Sequence, residues 1–425
     1  MSSRKSTTKR KSSVNANTIS SKKHSLTGKI VTGLTLKPNT LETLSPGSVF
    51  TCGQNDVGQL GIGEDESERK KPTIVKQLTD IVDICAGGMH TLCIDRNGRV
   101  YSWGCNDDFA LGRETTSETE AIPGEVSIEE KVVQVTAGDS HSAALTESGK
   151  VYAWGSFRDS HGVMGLTSDG KQKVPTLIMN NAAKIASGTD HLLILSTNGS
   201  LYSSGCAEQG QLGRISVRFA DRGSRRGLGN LLNPGLIPHP KTKFDEIWTG
   251  SWHSFAKEHH TSDIYSFGLN NYFQLGLSDF EVYTWPEVSK AFSAARTWVS
   301  ICGGQHHTLA LDNRGKTYVL GRKDYGRLGL GEESDDIIKE PTIIPSLEKK
   351  KVISICCGSS VSFAVTSEGE AYGWGFGTNY QVGNDTEDDV YEPKLITGKQ
   401  IQDYKIIKVA SGGQHTVFLA QKRSS

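Results

Sequence analysis

Residues Val151–Gly155 read VYAWG, and segments of the same form, aliphatic-aromatic-x-x-Gly, return along the whole chain. They are VYSWG from Val100, LYSSG from Leu201, IYSFG from Ile264, TYVLG from Thr317 and AYGWG from Ala371, with VFTCG from Val49 as a seventh. Alternating apolar positions of this kind are a strand signal, not a helical one. Upstream of these segments lie turn sequences: RNG at Arg96, ESG at Glu147, TNG at Thr197, NRG at Asn313 and SEG at Ser367. Such glycine turns supply the positive φ of a tight hairpin. Further upstream, a β-rich run ends in Gly-x-x-His at His90, His141, His191, His253 and His415, and in Gly303-x-x-His306; one copy carries Val361 instead.

The period is about 50 residues. Repetition at that length marks a repeat architecture, and seven antiparallel units favour radial closure, which protects sheet edges. The run Lys405 to Ala420 holds only the first half of a unit, and the run Gly47 to Leu78 only the second half. Together they make one blade. The expected fold is an all-β, seven-bladed β-propeller over residues 47–421, closed by pairing of N- and C-terminal half-blades, with a short tail at 422–425.

The formal charge of zero conceals an asymmetry: residues 1–46 carry nine Lys and Arg against Glu42 alone, a net of +8 that leaves −8 on the remainder. A basic, Ser/Thr-rich arm of this kind cannot bury enough apolar surface to fold alone and is expected to be disordered. Its Arg4, Lys5, Lys9, Arg10, Lys11, Lys22 and Lys23 suit a nuclear import signal and salt-sensitive contact with DNA phosphates. No apolar run approaches the length needed to cross a bilayer, and no membrane partner is expected. The eight cysteines show no C-x-x-C spacing and read as small buried hydrophobes.

A second short pattern follows each strand segment. Six copies, such as GQNDVGQLG from Gly53 and GCNDDFALG from Gly104, place seven residues between two glycines. The copy GSFRDSHGVMG from Gly155 places nine. Two extra residues should push the tip out of the blade, and Phe157, Arg158, Asp159, Ser160, His161, Gly162, Val163 and Met164 are too mixed in character for an idle linker. The histidines, one per unit, are spread around a ring and cannot converge on one ion, so they read as structural and no metal site is expected. Asp139 and Asp190 stand beside His141 and His191 where other copies hold Gly, Met, Ser, Trp or Gln; turn capping or a shared carboxylate site would both account for them. A longer insertion after Gly213 carries Arg214, Arg218, Arg222, Arg225, Arg226, Lys241 and Lys243 against Asp221. Such a loop suits an acidic or phosphate surface. No phosphate-binding glycine loop and no Gly-x-Ser-x-Gly elbow is present, which leaves NTPase and hydrolase readings unsupported.

The Gly-x-x-His, turn, aromatic-Trp-Gly and GQLG series resembles the repeats of the regulator-of-chromosome-condensation family over roughly residues 45 to 421. The segments WGSFRDSHGVMGL and ASGTDHLLIL and the basic arm resemble its guanine-nucleotide exchange factors for the GTPase Ran. The resemblance implies a nuclear, chromatin-associated exchange factor without covalent chemistry or cofactor, serving nucleocytoplasmic transport and spindle assembly. It implies Asp139, Asp190 and His306 as residues needed for exchange, and Phe157–Met164 as a β-wedge pressed into the GTPase. It further implies nucleosome contact, on the histone core, through Arg222, Arg225, Arg226, Lys241 and Lys243, and an import receptor on the arm. A closed ring suggests a monomer. The alternative is a non-catalytic propeller scaffold for histones or other chromatin proteins; the ultraviolet-B receptors, also of this superfamily, carry Gly-Trp-Arg-His-Thr repeats that are absent here.

Overall fold

The computed structural model describes residues 34–223, 227–293 and 296–423. Seven four-stranded antiparallel sheets follow one another along the chain, each ordered as a simple meander. Blade I combines Tyr404–Ser411 and His415–Lys422 with Ser48–Gln54 and Glu68–Ile74. Blades II to VII span residues 81–126, 132–179, 182–236, 244–288, 298–343 and 352–395. The first strands of the blades touch in an unbroken cycle, from blade II round to blade I and back. The expected half-blade closure is present: Ser48 pairs with Ala420, and the register continues to Gly53 opposite His415.

The repeat signals have specific structural causes. Trp103, Trp154 and Trp374 are fully buried, each removing enough apolar surface to favour folding by roughly 4–6 kcal/mol before entropy. Their Nε1 atoms donate to the carbonyls of Gln59, Ala110 and Arg327, in the GQLG-type loop of the preceding blade, at 3.0, 2.8 and 3.0 Å. The glycine that ends each third strand is equally constrained. At Gly155, φ is +90° and a Cβ would lie 2.4 Å from the Ser140 carbonyl oxygen, so no other residue fits.

The histidines are structural, as expected. Nε2 of His90 meets Ser142 Oγ at 2.8 Å, His191 meets Ser254 at 2.9 Å, and His415 meets Thr91 at 2.8 Å, each link crossing to the next blade. His141, His253 and His307 make the same link. The blade VI histidine is therefore His307, opposite Gly304, and the expected Gly303–His306 register is off by one. His306 occupies the face position that Asp190 holds in blade IV.

Three other expectations change. The compact unit begins at Thr35, not Gly47: Leu36 N donates to Thr197 O at 2.8 Å, and Leu41 is buried in a core cluster. At the other end, His415–Lys422 extends the sheet past residue 421. Cys52, Cys93 and Cys206 are buried, but Cys85, Cys302, Cys356 and Cys357 line the central channel and are only partly buried.

Candidate functional site

In each blade, the turn between first and second strands and the loop between third and fourth strands emerge on one face of the ring; the glycine turns emerge on the other. This follows from the meander order. Asp139, Asp190, His306 and the nine-residue insertion thus share a face. The insertion is a small antiparallel hairpin of Phe157–Asp159 and Gly162–Gly165, with Phe157 opposite Gly165 and Asp159 opposite Gly162.

The hairpin is not exposed throughout, as its sequence suggested. Phe157 and Met164 are buried, and the Phe157 ring lies 4.5 Å from that of the blade histidine His141. These apolar ends root the hairpin in the core. Of the hairpin residues, Ser160 and His161, at the turn, are the exposed ones.

Charged groups from three blades hold what lies between. The Arg158 amide donates to Asp190 Oδ1 at 2.7 Å. Its side chain reaches back to blade II, where Nε lies 2.8 Å from Asp108 Oδ2 while Lys171 Nζ lies 2.6 Å from Oδ1. Burial pushes the Asp108 carboxyl up, but Lys171 and Arg158 outweigh it and keep it below the usual range. Asp159 accepts from Arg222 Nε at 2.8 Å, and the same guanidinium caps the carbonyls of Val163 and Gly162, both at 3.1 Å. Ser160 N donates to Glu208 at 3.0 Å. Among the described residues, Asp159, His161 and Glu208 bring three donor atoms within 4.8 Å of one another. Asp159 and Glu208 are already committed to Arg222 and Ser160, so the cluster reads as bracing for the tip.

The two sequence-singled aspartates lie beside this hairpin. Burial, then the charges of Asp139 and Asp108, raise Asp190 to about 7 against the opposing Arg158 amide bond and charge. Asp139 is raised in the same direction, by crowding first and then by Asp107 and Asp108, with Arg158 opposing. A Cβ on Gly88 would lie 2.2 Å from Asp139 Oδ1, so that glycine makes room for the carboxylate. His306 stands in blade VI, two blades beyond Asp190, among aromatic rings. Its ring lies 5.5 Å from Trp252 and 4.9 Å from Tyr272. Burial, then Arg327 and Arg322, lower it to about 4.

The arginine-rich insertion divides. Gly235–Leu236 is a two-residue fourth strand pairing with Tyr202 and Ser203, so the described residues 214–223 and 227–234 lie on the hairpin face while Lys241 and Lys243 lie on the opposite one. There Lys243 Nζ meets Ser200 Oγ at 3.1 Å. Arg222 belongs to the hairpin, and Arg214 is buried against the carbonyls of Ser203 and Asn230. Arg225 and Arg226, like Arg4, Lys5, Lys9, Arg10, Lys11, Lys22 and Lys23, lie outside the described residues. Sequence reasoning missed Asp108, Lys171 and Glu208. A signal for Asp108 existed: it is the acid at a loop position where the other five copies carry Val57, Gln209, Tyr272, Tyr325 and Asn379.

Residues 48–418 match the family described as RCC1-like domain. The chain belongs to this RCC1-like family. A Xenopus laevis protein named Regulator of chromosome condensation is 50% identical over 391 residues, covering 89% of this chain and 91% of that protein. The Saccharomyces cerevisiae protein named Guanine nucleotide exchange factor SRM1 is 32% identical over 434 residues, covering 88% and 87%. Among solved structures, S. cerevisiae Prp20p, described with its binding to Gsp1p and histones, superposes with a TM-score of 0.82 at 31% identity over 92% of this chain and 94% of that one. Yeast RCC1 (Prp20) bound to Kap60 gives 0.84 at 31% over 98% and 97%. The RCC1-like assignment covers every blade and leaves the N-terminal basic segment outside the matched residues.

Proposed function

We propose that this RCC1-like propeller is a chromatin-associated guanine-nucleotide exchange factor for Ran. Relatives matched over most of their length carry the names of exchange factor and regulator of chromosome condensation, and yeast Prp20p is described with its binding to Gsp1p and histones. The observation that carries the reading is the braced hairpin between Asp108, Asp190, Glu208 and Arg222, a rigid projection rooted by Phe157 and Met164.

An exchange factor needs no covalent step. It binds the nucleotide-free GTPase more tightly than the loaded form and so lowers the barrier to release without moving the final equilibrium. The hairpin acts as the wedge, presenting Ser160 and His161 to the GTPase. Asp139, Asp190 and His306 supply polar contacts on the same face. The basic arm engages DNA phosphates and an import receptor of the kind seen with yeast RCC1; Arg225, Arg226, Lys241 and Lys243 reach the histone surface. The factor works as a nuclear monomer.

The test is release of a fluorescent GDP analogue from purified Ran with catalytic amounts of this protein. Acceleration is expected. Replacing Asp159–Gly162 by Asn-Gly, which restores the seven-residue spacing, should leave the circular-dichroism melt intact and abolish that acceleration. No acceleration by the intact protein refutes the exchange function and leaves a scaffold; full acceleration by the shortened one refutes the wedge.

A further inference from the structure

We propose that Cys357, with Cys302 as its resolving partner, is an oxidation site for hydroperoxides that forms a disulfide between blades VI and VII. The inference does not depend on the exchange reading.

Cys302 and Cys357 sit near the ends of the first strands Trp298–Gly303 and Val352–Cys357 of adjoining blades, one register position apart. Their sulfurs are 3.3 Å apart, and Cys357 Sγ is 3.4 Å from the Cys302 carbonyl oxygen. No sheet contains both strands, so a covalent bond here would join elements held only by packing. The neighbouring Cys356 turns elsewhere, its sulfur 3.7 Å from the Cys357 carbonyl oxygen.

The surroundings separate the two thiols. His307 lies beside Cys357; its Nε2 is used by Ser362, and its Nδ1 has no other hydrogen-bond partner among the described residues. Burial pushes the Cys357 thiol up, but the Cys302 bond and His307 outweigh it and bring it below the ordinary value, while burial holds Cys302 well above. Cys357 is thus the more readily deprotonated thiol of the pair and Cys302 the reserve thiol, the polarity that thiol exchange requires. Both face the central channel, a cavity of about 390 Å³ lined by all seven first strands. A water-sized oxidant fits such a space.

The chemistry balances with the peroxide as sole oxidant. The Cys357 thiolate attacks a peroxide oxygen, the O–O bond breaks, and the leaving oxygen takes a proton to become water or an alcohol. The resulting sulfenic acid is attacked by Cys302 as it loses its proton; the S–O bond breaks and water leaves. Two thiols lose two electrons and the peroxide gains them, and added thiol reverses the bond.

Full-length reduced protein is treated with equimolar hydrogen peroxide, quenched by alkylation and mapped under non-reducing conditions. The expected result is a loss of about 2 Da, a linked Cys302–Cys357 peptide and reversal by dithiothreitol. In Cys302→Ser, a dimedone adduct should collect on Cys357. A bond between any other pair, or no mass loss while Cys357 remains alkylatable, overturns the proposal. The wild-type map decides the matter even if Cys302→Ser fails to fold.

Discussion

The guanidinium of Arg222, from the blade IV loop, grips the carboxylate of Asp159 in the blade III hairpin, with Nε 2.8 Å from Oδ2. An arginine that composition assigned to an outside partner is thus spent within the molecule. Arg222→Ala and Asp159→Asn should each slow GDP release from Ran, and the double variant should lose less than the sum. A coupling of about 1 kcal/mol is expected for a partly exposed pair. Strict additivity in a double-mutant cycle on exchange rates would show that the contact does not brace the hairpin.

Asp190 makes exchange pH-dependent. Its folded carboxyl is raised to about 7, so the charge that anchors the Arg158 amide is present above that pH and lost below it. Exchange should fall as pH drops from 8 to 6, on the order of tenfold per unit at the steepest for one essential ionisation. Raising a carboxyl on folding favours the native state below its unfolded value and costs stability as pH rises through 7. Asp190→Asn should therefore melt at or above the wild type at pH 8, lose that advantage in acid, and flatten the exchange profile.

Acid should unfold the ring abruptly. Burial lowers His90 to about 4 and His141, His191, His253 and His415 to about 3. Their neutral forms are favoured by folding, so the stability they protect is complete above pH 6.5 and declines as pH falls toward 4. The five protons these histidines take up on unfolding should change stability by roughly 7 kcal/mol per pH unit in that window, and His306 adds a sixth. Denaturant titrations from pH 7 to 4.5 measure the slope; removing one histidine should reduce it by one proton.

The N-terminal segment should divide into two parts with different roles. Deleting residues 1–33 should leave melting and exchange in solution unchanged while weakening DNA retention, most clearly at low salt. Leu41→Ala, inside the packed part, should cost about 2–3 kcal/mol in a chemical melt. Equal stability in both variants would contradict the packing of Leu41.

The blades were legible because the units meet the same stereochemical demands: a glycine where no Cβ fits in all seven, a linking histidine in six and a filling tryptophan in three. The blade VI register was not. Gly303-Gly304 and His306-His307 are tandem pairs that satisfy Gly-x-x-His in either frame, and only in three dimensions do the burial of His307 and its link to Ser362 separate them. The basic insertion read as one loop because a two-residue strand, Gly235–Leu236, leaves no periodicity to detect. The nine-residue spacing did reveal the hairpin. Its bracing by Asp108, Glu208 and Arg222 comes from segments 48 to 63 residues away, and no local pattern reports contacts at that separation.

The pairing of Ser48–Gln54 with His415–Lys422 also bears on how the molecule is made. During synthesis Ser48–Gln54 and Glu68–Ile74 leave the ribosome first and pair with each other, but the other edge of Ser48–Gln54 has no partner until nearly the whole ring has been translated. Until then that edge is open to any other extended chain, the hazard common to sheets of high contact order. A chain that stopped short of His415 would keep that edge unpaired, so laying down the last strand is also the step that removes the hazard.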